Sequence, residues 1–257
     1  MPTLSVVIIT KNEESHIEDC IKSVKECAHE IIVVDSSSTD RTVEIAQALG
    51  AKVTITSDWQ GFGIQKNKAL SLATCDWVLS LDADERLSKE LTLEIQKLLS
   101  STPPSPSYLI ERRSWYCGKL IKYSGWQNDK ILRLFKRGFA TFTNNPVHER
   151  LELLTPSKPL QLKGILDHYS FEDYDQVLEK INRYSALWAH SQHSSGRKSS
   201  PAKALVHAIS AFLKTYFFKL GFIDGFHGLT LAISNAEGAY YKYIKLWHLG
   251  LTKPSKP

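Results

Sequence analysis

The chain has 257 residues, 42% of them hydrophobic and 23% charged, which is the makeup of a globular protein able to bury a full core and excludes disorder as the default state. Its net charge of +5 is unevenly spread, because residues 197–257 carry a net +7 and the preceding 196 carry −2. No stretch reaches 18 consecutive apolar residues, so no helix is expected to span a bilayer. The four cysteines, Cys20, Cys27, Cys75 and Cys117, form no Cys-x-x-Cys pair and have no histidine spacing for tetrahedral zinc, so they read as buried thiols of a reducing compartment.

From Leu4 to Ile9 the sequence is a continuous, largely β-branched run, as expected of a strand covered on both faces in a parallel sheet. The run is too short for a signal-peptide core, so cytosolic residence is expected. It ends in Thr10-Lys11-Asn12-Glu13-Glu14, after which Ile17, Ile21, Val24 and Ala28 recur at helical spacing. Ile31-Ile32-Val33-Val34 predicts a second buried strand ending at Asp35. Ser36-Ser37-Ser38-Thr39-Asp40 then opens a helix that Gly50 stops. Val53-Thr54-Ile55 predicts a third strand and the segment from Ile64 to Ala73 a third helix. A fourth strand, Trp77 to Leu81, runs straight into Asp82-Ala83-Asp84-Glu85.

Four alternations of strand and helix predict right-handed crossovers and a mostly parallel, Rossmann-like sheet with helices on both faces. Ligands in such folds bind beyond the carboxyl ends of the strands, where the polar clusters 10–14, 35–40 and 82–85 all fall. In an extended segment Asp82 and Asp84 would share a face, and two carboxylates there suit a hard cation shared with phosphates. For an isolated Asp-x-Asp the plainer reading is an acidic turn ahead of a helix starting near Ser88, and the other polar strand ends are what count against it here. The first strand is not followed by Gly-x-Gly-x-x-Gly, which argues against a dinucleotide fold of the usual kind.

Four segments, Thr10-Lys11-Asn12-Glu13, Val33-Val34-Asp35-Ser36-x-Ser38-Thr39-Asp40, Gly61-Phe62-Gly63-x-Gln65-Lys66-Asn67 and Leu81-Asp82-Ala83-Asp84-Glu85, carry a resemblance in their order and spacing. They resemble the family 2 glycosyltransferases of GT-A fold, and more narrowly the bacterial β-1,4-glucosyltransferases of the lipopolysaccharide or lipooligosaccharide inner core. Arg133-Leu134-Phe135 and Val147-His148-Glu149 extend the match toward residue 150.

The resemblance implies an enzyme that uses a UDP-sugar donor with Mg²⁺ or Mn²⁺. Asp35 would read the uracil N3–H, with Thr10 and Asn12 lining the nucleoside pocket, although both are equally ordinary loop residues. Gln65, Lys66 and Asn67 would face the diphosphate, Asp82 the ribose or the metal, and Asp84 and His148 the metal. The base that deprotonates the acceptor would be Glu149 or, close behind it, Asp129, with Asp167 a third candidate.

After Ser101-Thr102-Pro103-Pro104-Ser105-Pro106 the texture changes to strands over 108–113, 115–123, 130–136 and 139–143, rich in aromatics such as Trp115, Tyr116, Tyr123 and Trp126. Such rings stack on sugars or fill cores. The expected organisation is a GT-A catalytic domain over 1–170, split into a nucleotide-sugar half (1–100) and an acceptor half (101–170), followed by a helical region over 171–257. That last region combines its positive charge with ten of the chain's 26 aromatics. Helices over 202–222 and 228–247, hinged at 194–201, are expected to lie on an anionic membrane surface.

The expected activity is inverting transfer of a hexose, glucose for preference, to a lipid-linked saccharide at the inner face of the cytoplasmic membrane. A UDP-sugar transferase acting on a lipid carrier or a protein is the alternative. A sugar nucleotidyltransferase would carry glycine and arginine after the first strand, which this chain lacks. A nucleic-acid module would set its aromatics and cations on a compact platform, so no nucleic-acid partner is expected.

Overall fold

The computed structural model describes residues 1–143 and 149–251. It opens with β1 (Leu4–Thr10), α1 (Ile17–Val24), β2 (Glu30–Asp35), α2 (Thr42–Ala48), β3 (Lys52–Ile55), α3 (Phe62–Leu72) and β4 (Trp77–Asp82), the predicted alternation. After a turn at Ala83 and Asp84 come β5 (Glu85–Leu87), α4 (Lys89–Leu99), β6 (Ser107–Tyr116), β7 (Lys119–Leu120), β8 (Asp129–Lys136), β9 (Ala140–Phe142), β10 (Leu151–Leu153) and β11 (Leu160–Phe171). The chain closes with α5 (Tyr174–Ser194), α6 (Pro201–Leu213) and α7 (Phe226–Leu251).

The main sheet runs β3-β2-β1-β4-β8-β6-β11-β5, with β7 beside β6 and a separate antiparallel pair β10-β9. Its first four strands are parallel, but the pairs β4-β8, β8-β6, β6-β7 and β11-β5 are antiparallel, so the sheet is mixed rather than mostly parallel as expected. Alternation along β1 sends Leu4, Val6 and Ile8 into a core with α1, α2 and α4, and Val7 into a second core with α3. This two-faced burial is why those strands are unbroken apolar runs, and it makes the fold the α/β GT-A architecture that the resemblance implies. The strand order turns back at β1, whose neighbours are β2 and β4, so the carboxyl ends of all three meet at a topological switch point.

Two compact units emerge: Met1–Arg112 with Asn128–His168, and Arg113–Gln127 with the residues from Tyr169 onward. In the second unit α5 and α6 both pack on α7. The segment 194–201 therefore joins two helices of one packed unit, rather than being the hinge expected there, and Ser200 caps α6 by accepting the Lys203 N–H.

The single strand expected over 115–123 is broken. Cys117 and Gly118 both take positive φ, and the chain folds back as β7 on β6. Tyr116 is fully buried, with its ring edge-on to Trp126, Phe171 and the more exposed Tyr174, and Tyr116, Trp126 and Phe171 pack with Ile121, Val177 and Leu231 in a core of the second unit. Of the cysteines, Cys20 and Cys27 are buried as expected, while Cys75 and Cys117 are only half-buried. Burial pushes the Cys27 thiol up to about 11.

Candidate active site

The site lies in the first unit, at the carboxyl ends of β1, β2 and β4. Asp35, the last residue of β2, is fully buried. Its Oδ2 accepts from the Thr10 hydroxyl at 2.8 Å and from the Ser38 hydroxyl, and its Oδ1 accepts from the Ser38 N–H at 2.8 Å. Among the described residues these three bonds leave one of the four lone-pair sites of the carboxylate.

Asn12 takes the left-handed conformation (φ 55°) that asparagine tolerates better than most residues. Its N–H donates to Ser38 Oγ and its Oδ1 accepts from the Thr39 N–H, so the loops after β1 and β2 are tied together. Asp40 accepts from both the N–H and the hydroxyl of Thr42, the first residue of α2, and so ties the loop to the start of that helix.

Helix α3 contributes three neighbouring side chains with different fates. Gln65 is buried and donates to the hydroxyls of Ser36 and Thr56, while its Oε1 has no partner among the described residues. Asn67, expected at the diphosphate, has both amide atoms committed to β9. Its Nδ2 donates to the Phe142 carbonyl and its Oδ1 accepts from the Phe142 N–H and the Thr141 hydroxyl. It is a strap between helix and strand. Lys66 alone of the three carries charge into the site, 2.8 Å from Asp82 Oδ1 and 3.0 Å from Glu149 Oε1.

The two glycines ahead of these residues have separate causes. Gly61 holds φ 112°, and a Cβ on Gly63 would stand 2.0 Å from the Thr143 carbonyl oxygen. Gly63 is therefore required by the close approach of the Thr143 backbone.

The expectation that Asp82 and Asp84 act side by side from one extended face is not what the backbone builds. The alternation ends at Asp82, because Ala83 and Asp84 form a turn, and the two carboxylates find different partners. Asp82 Oδ2 accepts from Arg133 Nη2 at 2.7 Å, and its Oδ1 faces Lys66. Burial alone would raise its pKa, but the charges of Lys66 and Arg133 hold it well below the usual carboxylate range.

Asp84 Oδ2 lies 3.1 Å from His168 Nε2. Here too burial opposes ionisation, and the hydrogen bond and charge of His168 bring the carboxyl below its ordinary value. His168 stands on β11, in register with Glu85 of β5. Nothing in the sequence announces that antiparallel pairing, and the histidine named for the metal was His148, which lies outside the described residues. Asp84 and His168 offer an oxygen and a nitrogen to one cation, and Mn²⁺ accepts both donor types. Among the described residues no three acidic, His or Cys side chains converge on a metal-sized space. Two protein ligands with phosphate and water completing the shell is the usual arrangement for such an ion.

Glu85, quoted in the motif but assigned no role there, proves central. It is fully buried; its Oε2 accepts from the Asp82 N–H at 3.0 Å, and its Oε1 accepts from Arg133 Nη2 at 2.7 Å and Arg112 Nη1 at 3.3 Å. Arg112 in turn holds Asp129 Oδ2 through Nε (2.9 Å) and Nη2 (2.7 Å). Seven side chains thus alternate in sign: Glu149, Lys66, Asp82, Arg133, Glu85, Arg112, Asp129. Each charge taken out of water faces one of opposite sign, the condition under which buried ions are tolerated. Both leading candidates for the base stand at the ends of this chain, Glu149 held by Lys66 and Asp129 by Arg112. Asp167 lies on β11, in register with Arg86 of β5.

Residues 5–141 match the model of glycosyl transferase family 2. An uncharacterized glycosyltransferase of Rickettsia typhi is 37% identical over 98% of this chain and 89% of its own length. The lipopolysaccharide core biosynthesis glycosyltransferase LpsC of Rhizobium meliloti is 30% identical over 93% of each chain. Among solved structures, TarS of S. aureus in complex with UDP-GlcNAc is 28% identical over 44% of this chain and 35% of that one, with a TM-score of 0.39. The family model covers more than half of the chain and the relatives align almost end to end, so the chain belongs to glycosyl transferase family 2.

Proposed function

We propose that this glycosyltransferase is inverting and metal-dependent, moving a hexose, glucose for preference, from a UDP-sugar to a lipid-linked saccharide of the lipopolysaccharide-core kind at the inner face of the cytoplasmic membrane. The observation that carries the reading is the meeting of Lys66 with Asp82 and Glu149 at the carboxyl end of β4, beside the switch point of the parallel sheet, where a nucleotide-sugar would have its phosphates. The likeness to LpsC over 93% of both chains supports the acceptor class.

In this reading the free lone-pair site of Asp35 accepts the uracil N3–H, and Thr10, Asn12 and Ser38 hold the loops that shape the base pocket. Mg²⁺ or Mn²⁺ held by Asp84 and His168 would supply positive charge to the departing diphosphate. Asp82 meets the ribose while anchored by Arg133. Lys66 adds a fixed cation beside the phosphates, kept protonated because the charges of Asp82 and Glu149 outweigh its burial. Glu149 takes the acceptor hydroxyl proton on Oε2, Oε1 being engaged by Lys66. The acceptor oxygen then bonds to the anomeric carbon from the face opposite UDP, and the anomeric carbon–oxygen bond breaks with its electron pair leaving on UDP. An α-linked donor gives a β product.

A panel of UDP-sugars with Mn²⁺, read by UDP release and transfer, tests this. One hexose is expected to stand out, and activity is expected to vanish with chelator. Failure of every UDP-sugar to bind or react would refute the reading.

A further inference from the structure

The helical unit exposes a continuous apolar edge where the sequence suggested two helices lying flat. On α6, Leu205, Ile209 and Leu213 recur every fourth residue and all face solvent, with Val206 beside them 64% exposed. The stripe continues past the helix end, where residues Lys214–Phe218 wind as a π-helix and Gly221–Asp224 as a 3-10 turn. There Phe218 is 82% and Phe226 85% exposed, and Phe222 is exposed between them. Isolated exposed apolar residues need no explanation, but a run of this length and aromatic content marks an interaction surface.

The turn that carries these rings is built rigidly. Asp224 is buried and accepts from the Lys122 and Tyr123 N–H groups at 3.0 Å each and from the Ser124 hydroxyl at 2.7 Å. A Cβ on Gly228 would stand 1.8 Å from the Gly221 carbonyl oxygen, so the start of α7 lies directly on the turn. Leu220 sits in the left-handed region (φ 57°), where glycine would avoid the strain that leucine incurs. The backbone therefore holds large apolar side chains outward at a local cost.

Charge narrows the partner. Between residues 201 and 226 the cations are Lys203, Lys214 and Lys219, all exposed, and the sole acid is the buried Asp224. Apolar rings flanked by lysines and free of exposed acid suit the interface of an anionic bilayer, with rings at the acyl boundary and amines at the headgroups.

We infer that the α6 stripe and the turn bearing Phe218, Phe222 and Phe226 form a keel that inserts into an anionic membrane surface. This deepens the reading of a lipid-linked acceptor, on which it rests, and is tested separately from it. Full-length protein is sedimented with vesicles of phosphatidylcholine alone or with about a third phosphatidylglycerol. Binding is expected to favour the anionic vesicles and to weaken with salt. F218S/F226S should weaken it roughly 100-fold, at about tenfold for each ring withdrawn, and K214Q/K219Q should cut the preference for anionic lipid by roughly tenfold or more. Circular-dichroism melts and hydrolysis of the donor in solution are expected to be unchanged in both variants, which separates loss of docking from failure of the transferase reading. Equal binding to both vesicle types, or undiminished binding of F218S/F226S, would overturn the inference. So would a dimer in vesicle-free sedimentation that F218S/F226S converts to monomer, since the edge would then be a contact between copies.

Discussion

Asp84 and His168 are brought within 3.1 Å of each other by the antiparallel pairing of β5 with β11, across more than eighty residues of sequence. A carboxylate and an imidazole at that separation can share one divalent ion, while Asp82 two residues earlier is held by Lys66 and Arg133. Asp84→Ala is therefore expected to abolish transfer and Mn²⁺-dependent binding of UDP, with the fold intact by circular dichroism. His168→Ala should raise the Mn²⁺ concentration needed for half-maximal UDP binding at least about tenfold. Calorimetric titration of Mn²⁺ with UDP reads this without turnover, and normal metal-dependent binding by Asp84→Ala would remove the assignment.

The base is tested at the two ends of the charge chain. Glu149→Gln should lower kcat on the order of 10²-fold or more with UDP-sugar affinity preserved, the usual effect of removing a general base. Asp129→Asn should retain most activity, because Arg112 Nε and Nη2 both engage Asp129 Oδ2 in a structural pair. The reverse pattern would move the base to Asp129.

Arg133 ties Asp82 to Glu85 through one guanidinium nitrogen and is itself buried. Arg133→Met leaves two carboxylates without that partner in the interior, and a loss of about 3–5 kcal/mol is expected from the cost of stranding buried charge. Urea denaturation at pH 7 measures it. The double variant R133M/E85Q should recover part of the loss, since it removes one of the stranded charges as well.

Glu30 supplies a pH test remote from the site. Its Oε1 accepts from the Ser5 hydroxyl and from the N–H and hydroxyl of Thr74, and its Oε2 from Lys52. Burial would raise its pKa, but these four donors together bring it well below the carboxylate range. A folded-state pKa below the unfolded value contributes stability that is present above the unfolded pKa of about 4.3 and is lost as pH falls below it. Wild-type unfolding free energy should therefore fall more steeply than that of Glu30→Gln as pH drops from about 5 to 3. At pH 7 the variant should be less stable by about 2 kcal/mol. Parallel pH profiles for the two proteins would contradict the assignment.

Much of the first unit was legible in the sequence because its constraints are local. β1, β2 and β4 are buried on both faces, which forces the apolar runs that announce them, and each ends abruptly in a polar residue, Thr10, Asp35 or Asp82, at the sheet's carboxyl edge. Ile17, Ile21 and Val24 on α1 were equally readable, since one covered helix face imposes one apolar stripe. The candidate residues Thr10, Asp35, Asp82 and Asp84 follow from the same logic, Lys66 follows from the glycine loop that opens α3, and the family resemblance adds their expected roles.

What the sequence could not decide depended on which distant segments pair. Glu85 is the hub of the charge chain only because β8 brings Arg133 and β6 brings Arg112 to it, and a glutamate after Asp-x-Asp reads the same whether buried or solvated. His168 meets Asp84 through β11, whose alternation of burial over Leu162–Leu166 lapses before it reaches His168. The same holds for Asn67, whose amide is consumed by β9, and for Gly63, which is glycine because of a carbonyl eighty residues away. Along the C-terminal helices composition gave the apolar and basic character, but only the packing of α5 and α6 on α7 settled which rings are buried and which are left outside. Periodicity records that a face is apolar; what covers that face is decided by tertiary contacts.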